Sequence, residues 1–526
     1  VNRTKQFDMD NVTFTGNTAG AVRNDGMGGA ILVNEIPSSF EAVFTWNNVK
    51  FEGNTSRSHG GAACFNSNTY LTLNATNITA SNNKSISQCG GAFYLGQGHI
   101  TLTDAVFENN TAGSSGGAVY MWNRYSNNSL TIKGNSRFVG NTASSSGGAL
   151  YFDQNDITYT DDDGKLQYRR GELNITGTAD TPIVFSGNIA KNYSGGAIAV
   201  GFSNTDKLDY LDVHDNTAKQ YGGGIYVNGG ATVGTLTNSK IYNNTTVQTG
   251  GGVFVYAYFN YQNVKVNDVD VPTRIGEACD FTIENCEVTG NSTTGTDGNS
   301  RGGAGIAFGA DLRHSKFYGD DSGTLSIINT TVENNTSATN GGGVYGSYNT
   351  TLNISGGSIS NNTAASNGGG VVVRNNTTTI KNGTVIEGNT AGANGGALYT
   401  WDTRNNNEKK YGVYDPKLTT EECTIANNTA KKGGIAYIVA QASFAMGEKT
   451  FPDSNEGVGD VFVEKNAGEV TLPAASDLPG QYNAWLMDGT TSFETAVTNE
   501  NAAEHYYTLQ GAAHFVARLN GSTIFN

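Results

Sequence analysis

The sequence is poor in cysteine and in proline. Its 526 residues include five cysteines and seven prolines. The odd number of cysteines and the lack of a Cys-x-x-Cys pair exclude a zinc ribbon and a disulfide-rich scaffold. Two pairings stay open as alternatives to free thiols: Cys64 with Cys89 across neighbouring repeats, and Cys279 with Cys286 around a small loop.

A long hydrophobic run is also missing. The longest stretch with an apolar bias, residues 433–446, is shorter than a membrane span and contains Gln441 and Ser443. We therefore predict no membrane insertion.

Positive charge is scarce. Lysine and arginine together number 32 against 47 aspartates and glutamates, which gives a net charge of -15 and a pI near 4.9. No basic cluster interrupts this balance. Nucleic acid and anionic membrane surfaces would be repelled, so neither is a predicted partner.

The common catalytic and metal-binding motifs are absent as well. The sequence has no His-Glu-x-x-His, no P-loop, no nucleophile elbow and no Gly-Gly-x-Gly-x-Asp calcium repeat. Acidic groups occur at Asp161, Asp162 and Asp163 and again at Asp320 and Asp321, where glycine nearby is typical of solvated turns. We predict no catalytic residue, no metal site and no cofactor.

Glycine, in contrast, is abundant and recurs in a repeat. Residues 332–336, 359–363 and 386–390 each begin with an apolar residue that is followed three positions later by Asn. Nine positions after the apolar residue, a Gly pair opens a short apolar run, and the whole pattern has a period of 27 residues. The 70 glycines and the short runs of Val, Ile, Tyr and Phe favour strands over helices. Each period is thus predicted to form one coil of an all-β, right-handed parallel β-helix.

The repeat extends through most of the chain. The apolar-x-x-Asn motif occurs first at Phe14 and Asn17 and last at Ile425 and Asn428. Gly pairs recur from residue 28 to residue 433, which predicts about 13 or more coils within residues 1–438. Residues 439–526 lack the Gly pair and are predicted to form a C-terminal cap or docking segment, because the end of a solenoid must be covered.

Two recurrent positions of the repeat, the Gly pair and the Asn, have a structural explanation. Glycine can take a positive φ at a corner, and its lack of Cβ lets successive coils approach closely. Asparagine tolerates a left-handed backbone, and its amide can bond to the same amide one coil away. We predict structural ladders of these two residue types, represented by Asn110, Asn141, Asn335, Asn362, Asn389, Gly341, Gly368 and Gly395.

The strand after each Gly pair alternates between two faces. Positions three and five after the first Gly, such as Val344 and Val373, are aliphatic and predicted to fill the lumen. The position between them points outward and is often aromatic, as at Tyr120, Tyr226 and Tyr399. Either these tyrosines form an open binding strip or the chain's own loops cover them, and the sequence leaves both alternatives open.

Long insertions follow this same strand, at residues 153–180, 256–280, 309–323 and 401–421. In a solenoid they map to one side, where aromatic residues also accumulate. Aromatic rings stack on sugars or anchor protein partners, so we predict a lateral binding face. Its predicted residues are Trp122, Tyr256, Tyr258, Phe259, Tyr261, Trp401 and Tyr411.

Asn-x-Ser/Thr sequons are frequent because the Asn-Asn-Thr corner creates them. Where the second Asn of the corner belongs to the ladder, the first is expected to face solvent. In a host with N-glycosylation, the predicted positions include Asn109, Asn174, Asn243, Asn291, Asn361, Asn376 and Asn427.

The repeat also carries a family resemblance. Phe138-Val-Gly-Asn141 followed by Gly147-Gly-Ala-Leu150 resembles the signature repeats of the chlamydial polymorphic outer membrane proteins. It is similar, too, to the β-helix repeats of adhesin-like surface proteins from gut methanogens and gut bacteria. The resemblance covers residues 14–438, and it implies an extracellular, adhesin-like stalk.

These observations predict a secreted or cell-surface structural stalk and adhesion protein, without catalysis. It would bind glycans or proteins of host or neighbouring cells through its lateral face. One alternative is a polysaccharide lyase or glycoside hydrolase, because pectate lyases and polygalacturonases are also β-helices. A second is a subunit of an extracellular filament or surface layer that self-associates end to end or side by side.

Overall fold

The structure of the protein is a computed structural model. It describes residues 4–20, 26–34, 36, 41–66, 71–123, 128–154, 157–160, 162–164, 166–169, 171–201, 205–229, 233–257, 260–266, 269–275, 278–297, 302–309, 323–403, 414–447, 450–453, 455–458, 461–464, 467, 469–471, 484–486, 516–519 and 522–525. All regular structure in these ranges is β-strand. A search of the same ranges finds no helix with the length and apolar character needed to cross a membrane.

Four strands make one coil, as residues 351–374 illustrate. The first strand is Thr351–Ser355, the second Ser358–Ser360, the third Thr363–Ala364 and the fourth Val371–Arg374. Each strand pairs in parallel with the corresponding strand of the next coil. The prediction of an all-β, right-handed parallel β-helix is therefore confirmed.

The chain divides into two compact units, and unit 1 comprises residues 1–247 and 251–281. Its first strands are Met9–Asp10, Ala42–Asn47, Leu71–Thr76, His99–Thr103, Ser129–Lys133, Glu172–Thr176, Thr205–Asp209 and Val233–Thr237. Its second strands are Thr13–Thr15, Lys50–Glu52, Thr79–Ser81, Val106–Glu108, Arg137–Val139, Ile183–Ser186, Leu211–His214 and Lys240–Tyr242. Its third strands are Thr18–Ala19, Thr55–Ser56, Lys84–Ser85, Thr111–Ala112, Thr142–Ala143, Ile189–Ala190, Thr217–Ala218 and Thr245–Thr246. Its fourth strands are Ile31–Asn34, Ala63–Asn66, Phe93–Leu95, Val119–Asn123, Leu150–Gln154, Ile198–Gly201, Ile225–Asn228 and Val253–Tyr256.

Unit 2 comprises residues 248–250 and 282–526, and the strand Cys279–Glu284 contains the boundary. Its further first strands are Gly323–Ile328, Thr351–Ser355, Thr377–Lys381, Lys417–Thr420, Ser443–Met446, Glu469–Thr471 and Val516–Leu519. Its second strands are Glu287–Thr289, Thr331–Glu333, Ser358–Ser360, Val385–Glu387, Thr424–Ala426 and Phe451–Asp453. Its third strands are Ser292–Thr293, Thr336–Ser337, Thr363–Ala364, Thr390–Ala391, Thr429–Lys432 and Glu456–Val458. Its fourth strands are Ile306–Gly309, Val344–Ser347, Val371–Arg374, Leu398–Trp401, Ala436–Ile438, Val461–Val463 and Ala484–Leu486.

Aromatic and aliphatic side chains fill the interior of the coils. In unit 1 the ring of Phe51, from a second strand, lies 5.3 Å from that of Phe93, from a fourth strand. Trp46, from a first strand, lies 6.0 Å from Phe51. Phe107 and Phe138 stack at 5.0 Å in successive coils. These rings come from three different strands of the coil and meet, so they line the lumen. Phe93 lies three residues after the first Gly of its pair, and its inward position agrees with the predicted alternation of the fourth strand.

Both glycines of the Gly pair are required, each for its own reason. Gly116 has φ +66°, a left-handed conformation that side chains disfavour. Gly117 has no such φ, but a Cβ there would collide with the carbonyl oxygen of Gly148 in the next coil. The first glycine makes the corner, and the second allows the coils to stack.

The predicted asparagine ladder is present inside the corner between the second and third strands. The backbone N–H and Nδ2 of Asn362 both donate to Oδ1 of Asn389 one coil on, at 3.0 and 2.9 Å. Nδ2 also donates to the carbonyl oxygen of Val332, one coil back, at 2.9 Å. Each ladder residue thus ties three coils together, and Asn110, Asn141, Asn335, Asn362 and Asn389 are fully buried.

The left-handed residue of this corner is the one before the ladder asparagine. Asn361 has φ 55° and Asn334 has φ 57°, and glycine takes the same place at Gly140 and Gly388. The ladder residue Asn362 is not left-handed. The expectation that the ladder asparagine itself adopts that conformation is therefore wrong: its role is hydrogen bonding, and its neighbour makes the turn.

Two insertions contain antiparallel hairpins. One pairs Ile157–Thr160 with Leu166–Arg169, and the other pairs Asn260–Val266 with Val269–Ile275. Residues 310–322 and 404–413, from the other two insertions, lie outside the described residues.

The four-strand pattern continues past residue 438. Strands Ser443–Met446, Phe451–Asp453, Glu456–Val458 and Val461–Val463 pair in parallel with the preceding coil. Near the end of the chain, Val516–Leu519 and Ser522–Phe525 pair in antiparallel fashion. The boundary at 438/439 and the capping role of residues 439–526 stay predictions.

Replacement of Val344 by Asp should destabilise the protein by several kcal/mol. Val344 is fully buried in the lumen column, where a carboxylate would have to lose its water. Thr363→Asp is the matched control, because Thr363 is exposed on a third strand. Denaturant unfolding compares the two variants, and equal midpoints would contradict the assigned strand parity.

Asn362→Ala should cost about 2–3 kcal/mol, because it leaves two buried backbone groups of the preceding coil, the Asn335 N–H and the Val332 carbonyl oxygen, without a partner. Asn361→Gly should change stability by less than about 0.5 kcal/mol, since Gly388 occupies that position one coil on. The free energy of unfolding measures both. A loss at Asn361 as large as that at Asn362 would rule out the ladder as the source.

Candidate functional site

The outward residues in the middle of the fourth strands form a tyrosine column. In unit 1 it includes Leu32, Cys64, Tyr94, Tyr120, Tyr151, Ala199, Tyr226 and Phe254, and in unit 2 it includes Tyr345, Val372, Tyr399, Tyr437 and Phe462. Only 7% of Tyr120 and 8% of Tyr399 are exposed, and Tyr226 is half-buried. Of the two alternatives that the sequence left open, the structure therefore has the tyrosines covered by their own chain.

The cover is the segment that leads into each Gly pair. The ring of His59 lies 4.2 Å from that of Tyr94, and Cys89 joins Tyr94 and Tyr120 in one buried cluster. The ring of Tyr221 lies 5.1 Å from that of Phe254. The fourth strand thus has an apolar layer on each of its faces, the lumen and the tyrosine column.

Burial keeps the titratable groups around the tyrosine column in their neutral forms. Burial lowers the pKa of His59 to about 4, so its ring is neutral at physiological pH. Burial also raises the pKa of the Cys64 and Cys89 thiols. All five cysteines are buried and none is in a disulfide bond, so neither pairing considered from the sequence is formed.

The next outward position, at the end of the fourth strand, is less covered in unit 1, whereas Ser347, Arg374 and Val439 of unit 2 are buried there. We call it the strand-end column. In unit 1 it includes Asn34, Asn66, Trp122, Asp153, Gly201, Asn228 and Tyr256, and in unit 2 it includes Gly309, Ser347, Arg374, Trp401, Val439 and Glu464. Trp122, Tyr256 and Trp401, which the sequence singles out, are half-buried here.

In unit 2 the strand-end column contains a cation stacked between two rings. The guanidinium carbon of Arg374 lies 4.5 Å from the ring centre of Tyr348 and 4.4 Å from that of Trp401. Its Nη1 donates to the Tyr345 hydroxyl at 3.0 Å, and Nε and Nη2 both reach Thr403 Oγ1. Burial of Arg374 is thus compensated by cation–π contacts and hydrogen bonds.

Tyr348 takes an unusual backbone conformation to make this contact. Its φ is 46°, and Asn349 follows with φ 47°. A left-handed conformation costs a residue of this size about 1–2 kcal/mol. The contact between the Tyr348 ring and Arg374 compensates for this backbone cost. Because the Trp401 ring packs on the same guanidinium, Trp401 is in part a structural residue.

A tyrosine hydroxyl bonds to a charged strand-end residue one coil on in three places. Tyr345 bonds to Arg374 in this way, and Tyr437 donates to Glu464 Oε1 at 2.6 Å. In unit 1 Tyr120 donates to Asp153 Oδ2 at 2.5 Å. The tyrosine column therefore anchors the strand-end column.

Asp153 accepts a hydrogen bond from a second tyrosine hydroxyl. Tyr151 is also hydrogen bonded to Asp153, and burial followed by this charge raises the pKa of Tyr151 well above its usual value. Burial and Asp153 raise the pKa of Tyr120 in the same direction. Both phenols are consequently donors at physiological pH, and they hold the carboxylate in place.

The two hairpins of unit 1 come together on this side. Strand Leu166–Arg169, from the insertion after Asp153, contacts strand Val269–Ile275, from the insertion after Tyr256. Both hairpins leave the coils at the strand-end column. Of the acidic residues considered for catalysis, Asp162 and Asp163 lie exposed in the first hairpin turn, and Asp161, Asp320 and Asp321 lie outside the described residues.

Several predicted binding residues cannot be assigned contacts. Tyr258, Phe259 and Tyr411 lie outside the described residues, and only the backbone of Tyr261, in strand Asn260–Val266, is described. Within the part of the chain that is described, no three His, Cys, Asp or Glu side chains are arranged to hold a metal ion.

The predicted glycosylation positions fall into three groups. Asn109, Asn243, Asn361 and Asn427 are exposed left-handed residues before ladder asparagines, and Asn174 is half-buried on a first strand. Asn291 and Asn376 are fully buried, and Asn291 is itself a ladder residue bonded to Asn335. In the folded chain a buried amide has no room for a glycan, and glycosylation at all these positions stays a prediction.

Sequence reasoning missed Asp153, Asn228 and Arg374. The signal was available, since each lies six residues after the first glycine of its Gly pair, as Trp122 and Trp401 do. Because they are not aromatic, the aromatic pattern that predicts the binding face does not include them.

Comparison with known proteins agrees with this architecture. The family model of the Chlamydia polymorphic membrane protein repeat matches residues 11–34, 104–121, 129–153, 182–201, 329–347 and 383–400. Each match includes a ladder asparagine, a Gly pair and the start of a fourth strand. Searches of curated proteins and of solved structures gave no match. The chain thus carries, in these segments, the repeat of the Chlamydia polymorphic membrane proteins, a family of surface or outer-membrane adhesin-like proteins.

Proposed function

We propose that this protein is a non-catalytic adhesion protein of the cell surface, in which the β-helix is a stalk and the strand-end side is the binding face. Its partners would be glycans or proteins on other cells. The repeat family supports the surface location. The convergence of half-exposed aromatic residues and of two insertions on the strand-end column of unit 1 supports the binding face.

The covered tyrosine column narrows this proposal. A continuous strip of exposed tyrosines would have offered many equivalent contacts along the solenoid, but its rings are occupied by their own chain. Recognition therefore rests on the strand-end residues and the insertions, which differ from coil to coil. On such a face a few residues would carry most of the binding energy, and they would not recur in every coil.

The acidic character of the chain supports proteins or neutral glycans over polyanions as partners. With a net charge of -15, the protein repels an acidic polysaccharide at long range unless a cation bridges the two. Attachment to cells should then weaken as salt screens any attraction to basic partner surfaces.

Replacement of Tyr258, Phe259 and Tyr261 by Ser should reduce attachment of protein-coated beads to cells or glycans about tenfold, since aromatic residues dominate such contacts. The melting temperature should stay nearly unchanged. The control variant replaces Thr336, Thr363 and Thr390 by Ser, three exposed residues of the third strands. Unaltered attachment of the first variant, or an equal loss in the control, would remove this face from consideration.

Incubation with plant, microbial and host glycans, with and without calcium, should release no product. The proposal of a non-catalytic protein predicts this result because no groove with paired carboxylates is evident in the sequence. Chromatography of reaction products measures it. Reproducible cleavage that disappears when Asp161, Asp162 and Asp163 are replaced by Asn would support the lyase or hydrolase alternative instead.

A further inference from the structure

One coil of unit 1 departs from the repeat at two solvent-facing positions. The first residue of its third strand is Ile189, whereas the other described third strands begin with Thr, Ser, Lys or Glu. Two positions before its Gly pair lies Tyr193, whereas the other repeats have Gly, Ala, Ser, Thr, Gln or Lys there. The exposed fraction is 39% for Ile189 and 51% for Tyr193. This coil therefore keeps two large apolar side chains in contact with water where its neighbours have small or polar ones.

Tyr193 does not cover the tyrosine column. The residue directly before the Gly pair provides that cover, and in this coil it is the buried Ser194. Within the described ranges the Tyr193 side chain makes no hydrogen bond and no contact with another ring. Its backbone is fixed, because its carbonyl oxygen accepts from the N–H groups of Lys219 and Gln220 at 3.1 and 2.9 Å. The ring is thus held in place and remains open to a ligand.

Two lysines stand side by side at the same corner. Lys191 and Lys219 hold the same place in successive coils. The Lys191 N–H donates to the Ala143 carbonyl oxygen at 3.0 Å, and the Lys219 N–H donates to that of Ala190 at 3.2 Å. Their backbones are therefore one strand spacing apart, about 4.8 Å. Both side chains are exposed, and neither forms an ion pair with any residue that the structure describes. Like charges on neighbouring strands repel, so an anion that bridges them would remove a cost.

The preceding coil supplies hydroxyl groups beside Tyr193. Ser144 and Ser145 are half-buried, and their hydroxyls form no hydrogen bond among the described residues. Asn192, which is exposed, donates from Nδ2 to the Ser144 carbonyl oxygen at 2.6 Å and so ties the two coils together. An aromatic face, free hydroxyls and a pair of cations are the groups that a site for an acidic sugar needs.

The size of this patch favours a sugar over a protein partner. Its large exposed side chains come from two successive coils, in Ile189, Lys191, Tyr193 and Lys219. A protein partner typically covers about 800 Å² on each side, which is many times the area of two coils at one corner. One sugar ring with its substituents matches the patch in size.

We propose that Lys191, Tyr193 and Lys219 bind a carboxylated sugar at the end of a glycan chain. The carboxylate would bridge the two ammonium groups, the sugar ring would stack on Tyr193, and ring hydroxyls would bond to Ser144 and Ser145. A terminal sugar with one carboxylate brings a single charge, so the long-range repulsion from the net charge of -15 is small, and the two lysines outweigh it at short range. The site lies at the corner before the Gly pair and goes beyond the proposed function, which concerns the strand-end side.

The test is biolayer interferometry with the whole protein and sensors that carry sialyllactose or cellobiouronic acid, coupled through their reducing ends. Each acid is compared with its methyl ester, which has the same rings without the charge. At least one acid should bind about tenfold more tightly than its ester, and added salt should reduce this preference. The acid with the larger preference identifies the sugar as a sialic or a uronic acid.

Three substitutions dissect the site. Lys191→Gln and Lys219→Gln should each lower the preference for the acid over the ester about fivefold, because each removes one of the two cations. Tyr193→Ser should weaken binding of acid and ester alike, about fivefold, because it removes the stacking surface. All three residues are exposed, so the melting temperature of each variant should stay nearly unchanged.

Two matched controls lie three coils earlier in unit 1. Lys84→Gln changes the net charge by the same amount at an exposed third-strand lysine. Ile86→Ser removes an apolar side chain that is 53% exposed at the same corner of its own coil. Both control variants should bind the acid within about twofold of the unmodified protein.

Three outcomes would overturn the inference. Equal losses in Lys191→Gln and Lys84→Gln would mean that only net charge attracts the sugar. Equal binding of acid and ester would exclude recognition of the carboxylate. Tighter binding of a peptide of alternating glycine and glutamate would assign the lysines to an acidic protein segment.

The inference and the proposed function fail separately. If replacement of Tyr258, Phe259 and Tyr261 abolishes attachment to cells while neither acid binds the unmodified protein, the inference fails and the proposed function stands. If an acid binds but the beads do not attach to cells, the proposed function fails and the inference stands.

Discussion

Parallel stacking of the coils is the constraint on which the rest of the structure depends. In the described coils, a strand donates to and accepts from the same strand one coil away, so the backbone is satisfied only where successive coils keep a constant separation. At the corner between the second and third strands, backbone bonds continue at Asn361 and Thr363, but the ladder of backbone bonds is interrupted at Asn362 between them. Asn362 replaces those bonds with side-chain bonds to Asn389 and Val332, and Gly117 permits the close approach that stacking requires. Both residue types recur because the constraint recurs.

Stacking also explains where function can lie. The fourth strand has an apolar layer on each side, since the lumen takes one face and the segment before the Gly pair covers the tyrosines on the other. Rings such as Tyr399 and Tyr437 therefore hold coils together, at a centroid distance of 5.7 Å. Variation in charge occurs at the end of the strand, as at Asp153, Arg374 and Glu464. The insertions begin at this point, and the charged residues of the strand-end column lie there.

The strand-end column shows how a repeat acquires individual sites. A tyrosine hydroxyl accepts from Arg374 in one coil and donates to Asp153 or Glu464 in others. In one case the charge is satisfied within the chain, between Tyr348 and Trp401. At Asp153 the charge is held by hydrogen bonds from the Tyr120 and Tyr151 hydroxyls. One scaffold position thus holds a different charged group in different coils.

The sequence by itself determined the β-helix, the parity of the fourth strand and the two ladders. These follow from the 27-residue period and from residue types such as Asn362 and Gly341, whose roles depend on the local backbone and on an identical neighbour. Only the tertiary structure decided that Tyr120 is covered and Asn376 buried, that the left-handed residue is Asn361, and that Arg374 lies between two rings. The physical reason is that such contacts join residues in different coils, separated by insertions of unequal length, and their burial depends on which loop returns over which strand.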